Sequence, residues 1–280
     1  MIYSPSQSDT WLRCPVLRHM TREWEPRRVR KNNLAALLGS AVGDGINRYN
    51  QYLRDSETPD VTKCIEVGLD RIAVEQAKWA TQGRVIDIED QPYLAGMEPK
   101  VGKLLREYDQ NGLPKHWKVL DIEHTLPQHG NARIDLGIDD GFGPAVLDFK
   151  VKAYLKVGDE WRDINRWRNS WAMYHYTWAY GQVHNTSIDR YYIFMLVAEP
   201  KVRTKLYPFT VTPEAMAMWH VSAQRVWTQM ESEDNGTAEP WMASRHGDEY
   251  GPCPMYNACF MYQFDEHLML NEYTRKETSG

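Results

Sequence analysis

Residues 132–150 read ARIDLGIDDGFGPAVLDFK, and the fold turns on how this stretch pairs with itself. Two apolar runs flank the loop DDGFG, residues 139–143. That spacing predicts a β-hairpin with the four-residue loop Asp140 to Gly143. Asp139 then pairs with Pro144, and the same register carried along the strands sets Asp135 opposite Asp148. A slip of one residue would break this relationship. Directly opposed residues have Cβ atoms about 4.5–5.5 Å apart. Two bare carboxylates that close repel, and both stay ionised only with a cation between them. Lys150 follows Asp148 by two positions and shares its face, because side chains alternate along a strand. This D-x-K pair has two readings: a surface ion pair, or half of a metal-dependent nuclease site.

The flanking sequence extends the sheet. HWKVLDIEHTL, residues 116–126, is a further strand-like run upstream of the hairpin. It offers Glu123 as a third carboxylate, with Asp121, of the same parity, as the weaker alternative. Oxygen-only ligands suit Mg²⁺ or Mn²⁺, and a neighbouring lysine can orient a water or stabilise charge on a phosphate. Downstream, DINRWRNSWAMYHYTWAYGQ reads as one helix, IDRYYIFMLVA and RTKLYPFTVT as two strands, and PEAMAMWHVSAQRVWTQM as a helix with Pro213 in its first turn. His175, on the helix after the lysine, could face a metal or a phosphate, or pack in the core. Before the sheet, NNLAALLGSAVGDGINRYNQYL, VTKCIEVGLDRIAVEQAKWA and YLAGMEPKVGKLLREYDQ have helical periodicity, and Ser6 or Ser8 is expected to cap a short helix ending near Cys14. The order predicts an α/β fold in one domain, a mixed central sheet flanked by helices. The expected organisation is a single domain over 1–280, with a core at about 115–212, a helical part at 1–114 and a cysteine region at 240–265.

Composition sets the outer bounds. Hydrophobic residues make up 42% and charged residues 25% of the 280-residue chain, which is enough for a sizeable core. No apolar run is long enough to span a bilayer, and the opening MIYSPSQSDTWLRC lacks the pattern of a secretory signal. These features predict a soluble, cytoplasmic protein (host cytoplasm if phage-encoded) with no membrane partner. The net charge of −5 does not point to nucleic acid, but Arg13, Arg18, Arg22, Arg27, Arg28, Arg30 and Lys31 face only Glu23 and Glu25 in one segment. That segment is either a phosphate-binding patch or a solvated face. Eleven tryptophans, including Trp161, Trp167, Trp171 and Trp178, supply core, and an exposed one could stack on an unpaired base.

The series Glu123, Asp135 and VLDFK at 146–150, followed by an aromatic helix, resembles the PD-(D/E)XK nuclease superfamily. The likeness is to its RecB-like branch, which includes CRISPR-associated RecB-like exonucleases and many phage enzymes. The opening SPSQSDTWLRCP resembles that branch as well. The resemblance implies a restriction-endonuclease-like fold and a phosphodiester hydrolase, specifically a deoxyribonuclease and exonuclease, acting on DNA ends or single strands and leaving a 5′-phosphate. It implies Mg²⁺ or Mn²⁺ held by Asp135, Asp148, Glu123 and the backbone carbonyl of Phe149, with Lys150 positioning the water. Tyr176 matches a tyrosine of the branch. Recombination, repair, phage DNA metabolism or spacer acquisition would suit it, with a recombination or CRISPR partner protein. The chain departs from the pattern at two places: Gly43, in GSAVGD, replaces a metal-holding histidine, and Ala172 stands where a glutamine is expected. These departures leave a second expectation, a catalytically weakened or inactive DNA-binding or assembly module that keeps the nuclease fold.

The cysteines carry a separate implication. In some RecB-like nucleases one N-terminal and three C-terminal cysteines hold a [4Fe–4S] cluster. Cys14, Cys253 and Cys259 match three of those places, and His246 stands at the fourth. The set implies an iron–sulfur cluster joining the two ends of the chain; a Cys₃His set also suits structural Zn²⁺, and three free thiols are the remaining reading. Cys64 has no partner in this scheme and reads as a small buried apolar residue.

Overall fold

The computed structural model describes residues 1–29, 31–155, 158–240, 247–248, 251–252, 269–270 and 273–275. In chain order the helices and strands are α1 (Pro5–Arg13), α2 (Pro15–Glu23), β1 (Trp24–Pro26), β2 (Arg28–Val29), α3 (Lys31–Arg54), α4 (Val61–Thr81), β3 (Val85–Ile86), α5 (Gln91–Ala95), α6 (Met97–Asn111), β4 (Lys118–Leu126), β5 (Ala132–Asp139), β6 (Pro144–Lys152), α7 (Asp159–Arg168), α8 (Trp171–Val183), β7 (Arg190–Val197), β8 (Arg203–Thr210), α9 (Pro213–Asp234), β9 (Gly247–Asp248), β10 (Gly251–Pro252) and β11 (Tyr273–Arg275). Five strands form the central sheet in the order β4-β5-β6-β7-β8. All neighbours are antiparallel except β6 and β7, which are parallel. A parallel neighbour requires a crossover, and α7 and α8 supply it.

The sheet is covered on both faces, which explains its sequence. Strand β7, RYYIFMLV, is apolar throughout because alternate residues enter two different cores. Tyr192, Phe194 and Leu196 join Leu136, Leu147 and residues of α3, α4 and α6. Tyr191, Ile193, Met195 and Val197 join Val146, Trp167 of α7 and Met173 and Tyr180 of α8. A third cluster packs α1 against α9, with Trp171 and Trp178 of α8 at its edge. Helix α3 runs unbroken through its glycines because two helices cross closely there. A Cβ on Gly45 would lie 2.8 Å from the Cys64 carbonyl, and one on Gly68 2.7 Å from that of Ala41.

Several local expectations are corrected. The cap of α1 is Ser4, whose hydroxyl accepts from Gln7 N–H while the Gln7 side chain returns to the Ser4 N–H. Ser8 is buried and accepts from Trp227 Nε1 at 3.2 Å. The helix expected across 163–182 is two, because Ser170 caps a fresh start at Met173 N–H. The helix expected at 93–110 also divides, at Gly96. Part of the basic N-terminal run is engaged internally: Arg18 is buried and forks onto Asp234 with two hydrogen bonds of 2.9 Å. Arg22 joins the same carboxylate at 2.8 Å, and Arg13 pairs with Asp9. The two ends of the chain meet through β1 and β11, which pair Trp24 with Arg275. No described helix is long and apolar enough to cross a membrane.

Candidate active site

The hairpin forms in the expected register, with Asp139 opposite Pro144 and Leu136 opposite Leu147. Its turn is fixed by Gly141 and Gly143, both at positive φ. Asp140 locks the turn from inside: buried, it accepts from Phe142 N–H, Arg190 Nε and Tyr192 Oη. The paired ladder of β5 and β6 ends at Leu136 and Leu147. One step further, Phe149 N–H donates to the Asp135 carboxylate at 2.9 Å. The Asp135 side chain thus takes the place of a strand partner, and it comes to rest beside Asp148 and Lys150.

The electrostatics follow from this crowding. Burial pushes the Asp135 carboxyl above the usual carboxylate range, and the neighbouring Asp148 adds to the shift; Lys150 and the Phe149 N–H oppose it. Burial works against the Lys150 ammonium, yet the two aspartates outweigh it and hold the lysine charged. Lys150 is therefore a donor and a positive charge, not a base. Its Nζ forms an ion pair with Asp148 Oδ2. That oxygen is buried and, beside the Lys150 ammonium, has no other donor among the described residues. An acceptor short of donors beside a second carboxylate fits a hard, oxygen-preferring cation. Asp135 and Asp148 are oxygen donors of that chemistry.

Glu123 reaches the neighbourhood by an irregular route. Ile122 faces Leu136 and His124 faces Ile134, so Glu123 stands opposite Asp135 in the register. A bulge between Val119 and Asp121, and a φ of +50° at Glu123, break the alternation of β4. A glutamate in the left-handed region is uncommon and occurs where the surroundings enforce it. Here Asn47 Nδ2 donates to Oε1 at 2.9 Å, and Arg133 Nε pairs with Oε2 at 2.9 Å. Asp121 goes elsewhere, bound by Tyr180 Oη at 2.6 Å and His124 Nδ1 at 2.9 Å. Among the described residues no three His, Cys, Asp or Glu side chains converge tightly on one metal position. Glu123 is engaged with Asn47 and Arg133 instead.

The two α8 candidates separate. Tyr176 faces the carboxylates: burial raises its phenol pKa, and Asp148 and Asp135 raise it further, so it stays a hydroxyl. His175 is fully buried on another side of α8, its Nε2 3.1 Å from the His129 carbonyl and its ring against Trp178, Trp219 and Trp227. Burial drives its pKa down to about 4, so it is a neutral core histidine. Asp44 of α3 forms an ion pair with Arg71 of α4 at 3.9 Å. Burial raises its pKa, Arg71 opposes the shift, and Glu123 adds to it, which places Asp44 near that glutamate. Asp44 and Asn47 lie three apart on α3, so they share a face. That spacing was the available signal. Position 43 is open, since an added Cβ meets nothing within 4 Å.

Lys150 opens onto a cleft of about 1020 Å³. Lys100, Lys152, Arg166, Tyr154, Trp171 and Tyr176 are among its walls, and Ala172 lies there too. Tyr154 is 54% exposed. Of the proposed terminal cluster, Cys14 joins α1 to α2 and packs against the cluster of Val16, Met20, Trp24, Met269 and Tyr273. His246, Cys253 and Cys259 lie outside the described residues.

No curated protein sequence matches the chain. The family model of the PD-(D/E)XK nuclease superfamily matches residues 2–259, which takes in the hairpin, Glu123 and the N-terminal helices. The chain thus belongs to the PD-(D/E)XK nuclease superfamily, a family of phosphodiester hydrolases that typically use Mg²⁺ or Mn²⁺.

Proposed function

We propose that the protein is a metal-dependent DNA exonuclease of the RecB-like type, built as one nuclease domain. The observation that carries this reading is the meeting of Asp135, Asp148 and Lys150 where the hairpin ladder ends, with Lys150 opening onto a cleft lined by aromatic residues, Arg166 and the ion pairs Lys100–Glu199 and Lys152–Asp163. Asp135, Asp148 and the Phe149 carbonyl would hold Mg²⁺ or Mn²⁺, and Glu123, still paired with Arg133, would complete the set through a water. When bound, the ion neutralises charge on the phosphate and acidifies water. Lys150 then orients the attacking water and stabilises the extra negative charge of the transition state. Tyr176, as a hydroxyl, donates toward the same phosphate. The water oxygen bonds to phosphorus, the bond to the 3′-oxygen breaks, and a 5′-phosphate and a 3′-hydroxyl result. DNA ends or single strands from recombination, repair, phage DNA metabolism or spacer acquisition are suitable substrates, delivered by a partner protein of such a pathway.

A [4Fe–4S] cluster on Cys14, His246, Cys253 and Cys259, or Zn²⁺ on the same residues, would clip the two ends of the chain together. The pairing of β1 with β11, and the packing of Cys14 against a cluster that includes Met269 and Tyr273, support that reading. Closing so long a loop stabilises a fold. Metal analysis of anaerobically purified protein distinguishes iron from zinc.

The test of function compares linear and circular DNA, single- and double-stranded, with Mg²⁺, Mn²⁺ or EDTA. Loss of nucleotides from linear DNA alone, abolished by EDTA, is expected. Cutting of circles makes the enzyme an endonuclease. DNA binding without any metal-dependent cleavage leaves the weakened module as the answer.

A further inference from the structure

Arg133 lies two residues before Asp135 on β5, so the two side chains share a face. Its Nε pairs with Glu123 Oε2 at 2.9 Å, while the side chain stays 64% exposed. Among the described residues its two terminal Nη groups make no further hydrogen bond or ion pair. The guanidinium also acts on Asp44 of α3 and Tyr176 of α8. Paired with Glu123 and two residues before Asp135, it lies beside the site and within electrostatic reach of both helices. An ion pair this exposed contributes little to stability, so holding the fold together is a poor account of its placement. An arginine anchored by Nε has its orientation fixed and presents the planar Nη fork, the geometry that matches phosphate oxygens.

We propose that Arg133 is a substrate-binding residue whose Nη fork takes a backbone phosphate of the DNA strand beside the metal site. The inference rests on the nuclease reading. It adds a cation on the β5 side of the carboxylates, opposite the lysines of β6, so that the strand is held from both sides. In this role Glu123 aims Arg133 as well as serving the metal.

The experiment measures binding of a fluorescent single-stranded oligonucleotide to the full chain and to Arg133→Ala and Arg133→Lys, over a range of KCl, with Ca²⁺ or EDTA to silence cleavage. Mn²⁺ binding is followed in parallel by electron paramagnetic resonance. One lost phosphate contact lowers the slope of log K against log salt by roughly 0.7–1 and weakens binding about tenfold at moderate salt. Arg133→Ala is expected to do both and to leave Mn²⁺ affinity within about twofold, while Arg133→Lys recovers most of the slope as a point charge. An unchanged slope overturns the proposal. So does a tenfold loss of Mn²⁺ affinity with DNA binding intact, which makes Arg133 only a support for Glu123. A wild type that fails to bind DNA overturns it too. A wild type that binds but never cuts, with the slope still lowered in Arg133→Ala, leaves the proposal standing and defeats the nuclease reading instead.

Discussion

The backbone N–H of Phe149 donates to the side chain of Asp135 at 2.9 Å, just beyond the last paired residues of β5 and β6. A backbone donor of one strand is satisfied by an acid of the next, and that fixes where the acid sits. It also fixes what the acid costs. The Asp135 carboxyl is desolvated and faces Asp148, so its pKa lies above its value in the unfolded chain. A raised carboxyl pKa means that the native state holds its proton longer. Stability of the metal-free protein is therefore full in this respect below the unfolded value, about 3.9, and falls as pH rises through the raised one. Asp135→Asn keeps an acceptor for Phe149 and removes the charge. The variant should melt a few degrees above the metal-free wild type at pH 8, with the gap closing in acid. Mn²⁺ should reverse the order by stabilising only the wild type. Thermal melts with and without the ion, across pH, provide the check.

The glycines of α3 have opposite predicted effects. Position 43 has open space and ordinary helical backbone, so Gly43→Ala should stabilise by about 0.5–1 kcal/mol. At position 45 a Cβ would press on the Cys64 carbonyl and on Leu105, so Gly45→Ala should destabilise by roughly 1–3 kcal/mol. Urea unfolding of the two variants measures both signs. Gly43→His also places its Cβ in open space. That change should tighten Mn²⁺ binding, if the family's histidine acts as the resemblance implies.

Asp140 should be the acid-sensitive lock of the hairpin. Burial alone would raise its pKa, but hydrogen bonds from Arg190, Tyr192 and the Phe142 N–H lower it overall. A depressed carboxyl stabilises the fold at neutral pH, and the contribution is lost as pH falls through the native value. Asp140→Ala should cost roughly 2–4 kcal/mol at pH 7, discounted because Arg190 is partly exposed. The difference from wild type should shrink on acidification. Urea midpoints at pH 7 and pH 3.5 check this.

Much of this arrangement was legible in the sequence, and the failures have physical causes. The loop DDGFG sets the hairpin register because loop length and two positive-φ glycines leave little choice. Asp148 and Lys150 were readable from strand alternation alone. Glu123 was readable as a candidate, but the bulge before it, its left-handed backbone and its engagement by Asn47 and Arg133 are not foreseen by parity. The Arg18 and Arg22 charges are absorbed by Asp234, more than two hundred residues away, and no local pattern announces that. The break before α8 was written in Ser170, a capping residue at its start. The neutrality of His175 depends on tryptophans brought by α9.

The central claim is that Lys150 acts on the reaction and not on the fold or the metal. The direct measurement is the single-turnover cleavage rate of Lys150→Ala against wild type on end-labelled DNA, with Mn²⁺ saturation confirmed for each protein. A loss of about 10²–10³-fold in rate is predicted, with melting temperature and Mn²⁺ binding essentially retained. A variant that cuts at the wild-type rate would contradict the account, and Asp148 and Lys150 would then be only an ion pair at the end of a hairpin.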